Sequence, residues 1–550
     1  MMPPEMTGVK HVPIPNMIER HVASPDCRVS HFIGHPMRKM RARVSYPHSP
    51  GDPGMSLYFI LGVFVLCLFF AILRSLPCGK TRQGQLPPGP HPLPLLGNLL
   101  DAPGIIIPQS LDKLASKFGN LIHLRILGRP TILVGSHEIA SELLEKRSAI
   151  HSDRPSSAMM DLVGASWILL KYGTEWRHQR RVFHESYSIA AVSQFHEIQE
   201  QVTRKLLRRL LVEPNNIFKS LCFASCATTV RAVYGITMSG DEDKYLAFFE
   251  RAIDALRSSL EPGQYLVEVF PWLSCLPGWL PGTRFLRDAA VWRGAIEDAR
   301  RVPFEEALEN IRRGEHEFSM ISATIQWFQT KGAISSEDMA ALRDAAAMSY
   351  LGGPETIASH TKVFFLAMTL YPEVQQRAQA ELDAVIGPER LPSISDLPSL
   401  PYIEAILMES MRWKQINVLG FPHQSLTDDE YNGYHIPAGS MIIPNVWAIA
   451  HDARHYPDPF EFKPERYLTE AGTLNPDVLD PRRFMFGYGR RICPGRHFSQ
   501  SSLFITIACV LHTFEIRSGE DAPKTPSIFS CPKTFGCEVR VRSAEARALI

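Results

Sequence analysis

The stretch FMFGYGRRICPGRHFSQ, Phe484 to Gln500, constrains this chain more than any other. Its glycines at 487 and 489 permit a tight, bulged turn in which the backbone can lie close to a flat partner. Cys493 follows, and the apolar run SSLFITIACVLHTF then predicts a long helix. A thiolate just before a helix N-terminus is stabilised by the helix dipole and by free N–H groups. The fold must therefore hold one cysteine at the start of a buried helix.

Cysteine usage narrows the chemistry of this loop. The ten cysteines show no regular spacing, so a disulfide scaffold is not expected, and Cys222 and Cys226 are interpreted as core residues of a helix. A zinc site would need three or four ligands at short spacing, and the stretch around Cys493 has no such pattern. One loop cysteine without partner ligands fits thiolate ligation of haem iron.

Five positions give this stretch a family resemblance. Phe486, Gly489, Arg491, Cys493 and Gly495 match F-x-x-G-x-R-x-C-x-G, so the chain resembles the cytochrome P-450 haem-thiolate monooxygenases. The resemblance implies heme b as the cofactor, with Cys493 as the axial iron ligand. It also implies that Phe486, Arg491 and Gly495 bind the haem. In this family the thiolate donates electron density to iron and favours O–O cleavage.

Further motifs stand in the order that this family shows. Trp176 and Arg180 in WRHQR match W-x-x-x-R, whose arginine pairs with a haem propionate, and a guanidinium suits a carboxylate. His423 in GFPHQ lies where the family places another propionate partner. These three residues are therefore predicted to bind the cofactor.

A second set of matches concerns the folding of the haem pocket. ESMR supplies Glu409 and Arg412, which lie three residues apart on one helical face, and FKPERYL supplies Arg466. The resemblance implies that these three side chains form a buried network that supports the pocket and takes no part in the chemistry.

The stretch MSYLGGPETIASH, Met348 to His360, has helical flanks but two glycines and a proline at its centre. Proline inside a helix costs about 3 kcal/mol, so either a helix ends here or a break is built into it. The resemblance favours a break, because it assigns Glu355 and Thr356 to the acid and alcohol that relay protons to dioxygen. Pro354 departs from the small residue that is usual in the family.

The resemblance also implies partners. No fused flavin domain follows the haem region, so electrons are expected from a separate NADPH-cytochrome P-450 reductase. Four basic residues near the ligand loop are candidates to meet an acidic partner face: Arg482, Arg483, Arg490 and Arg496. Substrate walls are expected at Ser166–Trp167, Asn417–Phe421 and Ile528–Phe529. These segments are mostly apolar and indicate a lipophilic substrate.

The N-terminal part predicts membrane attachment. Residues 55–73, MSLYFILGVFVLCLFFAIL, carry no charge and as a helix reach about 28 Å, close to the thickness of a bilayer core. We expect a single transmembrane helix there, a disordered extension over 1–54 and a basic, proline-rich linker over 74–100. Basic residues flank the apolar run on both sides and give conflicting orientation signals, a conflict that disappears if the working protein begins at Met55.

Residues 101–550 are interpreted as one haem-thiolate monooxygenase domain, mainly α with small β-sheets, as in the cytochrome P-450 fold. Helices are predicted over 136–148, where Ser136 is the capping residue, and over 371–387, where a proline stands at the start and a glycine at the end. Strands are predicted within 121–135 and 536–543. The formal net charge of +1 gives no indication of the strong positive charge that is typical of nucleic-acid-binding proteins.

The predicted function is that of a membrane-anchored monooxygenase similar to fungal, microsomal members of the family. It would sit in the endoplasmic reticulum with its catalytic domain in the cytosol and insert one oxygen atom from dioxygen into a lipophilic substrate, in secondary metabolism or xenobiotic oxidation. Two alternatives stay open. A haem-thiolate isomerase or dehydratase would keep Cys493 but need no Glu355–Thr356 relay, and a non-enzymatic haem sensor would need a signalling segment.

Overall fold

The computed structural model describes residues 84–94, 96–101, 108–261, 263–519 and 535–550. Helices dominate this part of the chain. In chain order they are α1 (Pro108–Phe118), α2 (His137–Ser141), α3 (Ala158–Leu162), α4 (Thr174–Tyr187), α5 (His196–Val212), α6 (Ile217–Tyr234), α7 (Lys244–Ser259), α8 (Arg284–Arg313), α9 (Met320–Lys331), α10 (Ser336–Gly352), α11 (Pro354–Leu370), α12 (Pro372–Val385), α13 (Pro401–Trp413), α14 (Val446–Ala450), α15 (Arg482–Met485), α16 (Arg496–Thr513) and α17 (Ala544–Ala548).

The strands are short and form three small sheets. They are β1 (Leu121–Ile126), β2 (Arg129–Val134), β3 (His423–Gln424), β4 (Asp429–Tyr431), β5 (Tyr434–Ile436), β6 (Met441–Pro444), β7 (Phe514–Ser518) and β8 (Cys537–Val541). One sheet has the order β1-β2-β6-β3, in which only β2 and β6 run parallel, and β4-β5 and β7-β8 are antiparallel pairs. The described fold is mainly α with small sheets, as the sequence predicts.

The predicted strand region 121–135 is a hairpin. Leu121 pairs with Val134, and the register continues to Ile126 opposite Arg129. Two residues make the turn, and both have a positive φ, 48° at Leu127 and 83° at Gly128. Two-residue hairpin turns of this kind match the right-handed twist of the strands, and glycine adopts the second position without steric cost.

The helix ends follow the predicted caps. The Ser136 hydroxyl accepts a hydrogen bond from the Ile139 N–H at 3.3 Å, and α2 continues as a π-helical turn over Glu142–Lys146. The helix predicted over 371–387 is α12, which starts with Pro372 in its first turn and is followed by Gly387 with φ 72°. Proline fits a first helical position because the N–H that it lacks would have no partner there.

The helical stretch around Pro354 is interrupted, as expected. The Gly353 N–H still donates to the Ser349 carbonyl at 3.0 Å and closes α10, while Pro354 occupies the first turn of α11. The break therefore falls between two helices, each of which keeps its own hydrogen-bonded ladder. Pro354 causes no loss inside α11, because it stands where a helix needs no N–H donor.

The larger core is formed where α11 packs against α6, α13 and α16. Phe364, Phe365 and Leu511 are completely buried there. Cys222 and Cys226 are free thiols on α6, as predicted. This packing places α11 and the start of α16 in the same helical body, and these elements carry the proton-relay candidates and Cys493.

Every described residue lies in the compact unit Pro77–Ile550. The described end of the predicted linker contacts this unit, since Gln85 bridges to Tyr434 and Gly97 to Ile126. The predicted extension over 1–54 and the predicted anchor over 55–73 lie outside the described residues. Within the part of the chain that the structure describes, no helix has both the length and the apolar character needed to cross a bilayer.

Candidate active site

Cys493 sits in a closed loop at the entrance of α16. Its N–H donates to the Phe486 carbonyl at 2.7 Å, which ties the two ends of the loop together. Gly489 has φ 53°, and a Cβ at this position would lie 2.0 Å from the Leu144 carbonyl oxygen, so only glycine fits. Gly495 precedes α16 and directs its N–H at the Cys493 sulfur. The loop thus holds the thiol at one fixed place.

The protonation of Cys493 depends on opposing effects. Burial raises the pKa of this thiol, and the Gly495 N–H together with the positive charges of Arg180 and Arg496 lower it by less. In the protein alone, desolvation therefore outweighs the stabilisation that the helix end was expected to give the thiolate. Part of the Cys493 surface nevertheless stays free to contact a partner group. A bound metal cation at the sulfur would supply the missing stabilisation of the thiolate.

The predicted propionate partners gather beside this loop. Arg180 projects from α4, and burial lowers its pKa, as does the charge of Arg496. Burial lowers the pKa of Arg491 to about 10, and the charge of Arg180 adds to this effect. Burial lowers the pKa of His423 to about 3, assisted by the charge of Arg154. Four arginines, Arg154, Arg180, Arg491 and Arg496, thus lie close enough for their charges to lower the pKa values of their neighbours, and the His423 ring beside them is neutral.

Arg154 is a member of this cluster that sequence reasoning missed. Its Nη1 donates to the carbonyls of Phe421 and Pro422, at 3.0 and 2.5 Å. Burial lowers its pKa to about 9, and the charge of Arg491 lowers it further. The motif HSDRP around Arg154 carries no local pattern that would assign it to the site. Only the fold brings it next to Arg491.

The backbone of residues 151–154 organises the cluster. The His423 Nδ1–H donates to the His151 carbonyl at 2.8 Å, and the Arg491 Nε–H donates to the Ser152 carbonyl at 2.7 Å. The Arg491 guanidinium also stacks over the Trp176 ring at 4.6 Å. These bonds orient the cations, but carbonyls and a ring face do not neutralise them. Asp153 is the one acid that raises the pKa values of both Arg154 and Arg491.

These observations test whether a haem fits. A cluster of buried cations with too little negative charge is expected to bind anionic groups, and a haem carries two carboxylates. Arg180 and Arg491 can pair with those carboxylates, and a carboxylate at His423 Nε2 would favour the protonated ring. Cys493 offers one free sulfur next to them. The residues present fit a haem with a thiolate ligand.

The second candidate wall is the break between α10 and α11. The Thr356 hydroxyl lies 3.0 Å from the Gly352 carbonyl and 2.8 Å from the Gly353 carbonyl, so its proton is directed at the helix break. Its oxygen lone pairs are then free to accept a hydrogen bond from a donor such as water. Apart from the adjoining helix backbone, no described atom lies within 4 Å of the position a Gly352 Cβ would occupy, and Gly352 is exposed. The Gly352 side of the break is therefore open.

Glu355 is held by a residue from another helix. Arg257 of α7 forms an ion pair with its carboxylate, and 44% of the Glu355 side chain remains exposed. Arg257 also lies 3.1 Å from Asp254, so two acids share one guanidinium. An exposed ion pair of this kind contributes about 0–1 kcal/mol, so it restrains the Glu355 carboxylate only weakly. Glu355 is thus placed beside Thr356 but is not rigidly fixed.

The predicted support network is present, with Glu409 and Arg412 completely buried and the Arg466 side chain 7% exposed. The Glu409 carboxylate accepts two hydrogen bonds from Arg412, both at 2.7 Å, and a third from Arg466 at 3.2 Å. Arg412 further donates to the carbonyls of Ala450, Pro459 and Glu461. These contacts fix α13 to the loop that leads toward Cys493. None of them reaches Cys493 or Thr356, which agrees with a structural role.

The predicted substrate walls are only partly described. Trp167 is buried, its indole N–H donates to the Gly164 carbonyl, and the Arg300 guanidinium lies 5.3 Å from its ring. Phe421 is 61% exposed and lies 5.9 Å from Arg154. The third segment, Ile528–Phe529, lies outside the described residues. The wall assignments therefore stay predictions.

Comparison with known proteins agrees with this geometry. The cytochrome P-450 family model matches residues 87–535. A cytochrome P-450 monooxygenase of Coprinopsis cinerea, COX2, is 36% identical over 86% of this chain and 93% of its own length. The monooxygenase ple1 of Rhodocybe pseudopiperita is 36% identical over 86% of the chain and 92% of its own length. Monooxygenase 98 of Postia placenta is 35% identical over 90% and 97%.

Proposed function

Since the chain belongs to the cytochrome P-450 family and is a haem-thiolate monooxygenase, we propose that it oxidises a lipophilic organic substrate while anchored to a membrane. One observation carries this proposal. A buried, undercompensated cluster of cations lies beside Cys493, in a chain whose α10–α11 break is open at Gly352 and binds the Thr356 hydroxyl. When bound, the haem supplies the iron at which dioxygen is activated.

Each of these residues would have a separate role around that cofactor. Arg180, Arg491 and His423 would bind the propionates, and Cys493 would ligate the iron. The Thr356 hydroxyl would accept a hydrogen bond on the side where dioxygen binds and would pass on a proton. Glu355 would then restore that proton from solvent. The exposure of the Glu355 carboxylate supports this last role, because a proton donor must recover its proton from water.

The electron donor would be a separate NADPH-cytochrome P-450 reductase. Among the four arginines near the loop, Arg482 is already paired with Asp480 and Glu404, whereas Arg483 and Arg490 are exposed. These two charges are the ones available to an acidic partner. Replacing either by Glu should slow electron transfer from the reductase and weaken its salt dependence. Arg251→Glu, which reverses an exposed charge on α7, serves as the control and should leave the rate unchanged.

Membrane attachment would come from the apolar run at 55–73, with the catalytic domain on the cytosolic face of the endoplasmic reticulum. Alkaline extraction of cell membranes tests this proposal. The full chain should stay with the membrane pellet, and a version that starts at residue 74 should be released. Release of the full chain would contradict the proposed anchor.

The substrate class is tested by a screen with the reductase in membranes. Candidates are terpenoids, steroids, polyketides and aromatic compounds, and the readout is a product mass with one added oxygen. We expect the reaction to need NADPH and the reductase. Turnover of an organic peroxide without either of them, and without added oxygen, would instead indicate an isomerase or dehydratase.

A further inference from the structure

His360 lies one helical turn after Thr356 on α11 and makes a hydrogen bond to it. The His360 Nδ1 is 3.1 Å from the Thr356 carbonyl oxygen. The histidine side chain is buried, and its other nitrogen, Nε2, has no hydrogen-bond partner among the described residues. The bond to Thr356 is thus the one described polar contact of the imidazole.

The hydrogen bond fixes the state of the ring. A carbonyl oxygen can only accept, so Nδ1 carries the proton and Nε2 does not. Burial lowers the pKa of His360 to about 4, and the bond to Thr356 only partly opposes this effect. His360 is therefore a neutral donor at physiological pH and acts neither as an acid nor as an ion-pair partner.

An apolar residue would be more stable at this position. A buried ring nitrogen without a partner loses its hydration and regains nothing, whereas a phenyl ring of similar shape leaves no polar atom unpaired. Packing alone therefore does not account for a histidine here. What the imidazole provides, and a phenyl ring does not, is the N–H donated to Thr356.

This donor acts on the residue that the proposed relay uses. The Thr356 carbonyl lies one helical turn before His360. In a regular helix, this carbonyl already accepts the main-chain N–H of His360. A carbonyl oxygen has two lone pairs, so the side-chain N–H of His360 can add a second hydrogen bond to this oxygen. The Thr356 hydroxyl is meanwhile bound to the carbonyls of Gly352 and Gly353. Both polar ends of Thr356 thus make hydrogen bonds along α11 or back across its start.

We propose that His360 is a positioning residue for Thr356: its Nδ1–H adds a second hydrogen bond to the Thr356 carbonyl and restrains the turn whose hydroxyl is directed at the α10–α11 break. The inference rests on the proposed role of Thr356 in proton transfer. If the bond is lost, this turn is held less firmly and the Thr356 hydroxyl spends less time at the place where it accepts a hydrogen bond. Proton delivery then becomes slower than the release of peroxide.

The test compares three variants of the full-length holoenzyme with its reductase. His360→Phe removes the donor and keeps the ring shape. His360→Asn keeps a donor close to the position of Nδ1 and removes Nε2. Thr361→Val is the matched control, because it removes a similar back-directed bond, from Thr361 to the Ile357 carbonyl at 2.9 Å, on the neighbouring position.

We expect His360→Phe to keep the thiolate-type carbon monoxide band, the rate of the first electron transfer and an unfolding midpoint no lower than that of the unmodified protein. Its peroxide yield per NADPH should rise several-fold. His360→Asn and Thr361→Val should couple nearly as well as the unmodified protein. A purely structural role of His360 would change the unfolding midpoint and leave the coupling unchanged.

Thr356→Ala separates this inference from the proposed function. If Thr356→Ala uncouples and His360→Phe does not, the positioning role of His360 is refuted and the relay stands. If Thr356→Ala couples normally, the relay role of Thr356 is wrong, and the inference fails with it. Should His360→Phe not retain haem, His360→Leu replaces it under the same criterion, and normal coupling there also refutes the inference.

Discussion

Replacing Arg412 by Met should destabilise the protein strongly. This change removes two 2.7 Å hydrogen bonds to the Glu409 carboxylate and the side-chain donor to the Ala450 and Pro459 carbonyls, while the Glu461 carbonyl keeps its bond from Arg466 at 3.4 Å. Both side chains are 0% exposed, so water cannot take the place of the guanidinium. Breaking a buried ion pair by removing one partner costs about 3–5 kcal/mol, a large part of the 5–15 kcal/mol that is typical of a folded protein. Arg466 still contacts Glu409 at 3.2 Å, which places the expected cost toward the lower end of this range.

Urea unfolding followed by tryptophan fluorescence, together with the haem content after expression, measures this effect. The matched control is Arg377→Met, because Arg377 pairs with Glu465 at 3.1 Å in an ion pair that is about half exposed. The control should lose at most about 1 kcal/mol and keep its haem. If Arg412→Met costs no more than Arg377→Met, burial does not make the Glu409 network essential, and the reasoning is refuted.

The remaining predictions concern the cysteine loop, the iron ligand and the pH dependence of stability. Gly489→Ala should lower haem retention and the unfolding midpoint, since its Cβ would overlap a backbone oxygen, whereas Gly240→Ala meets open space and should match the unmodified protein in both assays. Cys493→Ala should abolish the thiolate-type carbon monoxide difference band, and a surviving band would show that another residue ligates the iron. Burial lowers the pKa of His451 to about 4, so the unfolded chain binds this proton from about pH 6.5 downward and the folded protein does not. The contribution of this residue to the free energy of unfolding should therefore be fully present above pH 6.5 and fall toward pH 4 by up to about 1.4 kcal/mol per pH unit. In urea titrations, the free energy of unfolding of His451→Phe should change less steeply with pH. An equal slope against pH would refute the assignment.

Local sequence patterns predicted the elements that depend on near neighbours. The Ser136 cap, the Pro372 helix start and the strands within 121–135 each follow from a few adjacent residues, and each is confirmed. The break at Pro354 was also predictable, because proline lacks the donor that a continuous helix requires. The sequence did not predict that Pro354 would start α11 as a regular first-turn residue.

Contacts between distant segments could not be read from the sequence. Arg154 joins the cation cluster only because the backbone of residues 151–154 binds His423 and Arg491, which are more than 250 positions away along the chain. Arg257 reaches Glu355 from another helix in the same way. The raised pKa of Cys493 was missed for a related reason, since desolvation depends on the whole surrounding fold and not on the adjacent helix end.

The central claim is that Cys493 and the Thr356 segment bound a site that activates dioxygen and transfers one of its atoms to a substrate. Turnover of a substrate under isotopically labelled dioxygen, with NADPH and the reductase, tests this claim most directly. One labelled oxygen atom is expected in the product, and none in parallel reactions that use labelled water and ordinary dioxygen. A product that carries no label from dioxygen, formed at the same rate without NADPH, would contradict it.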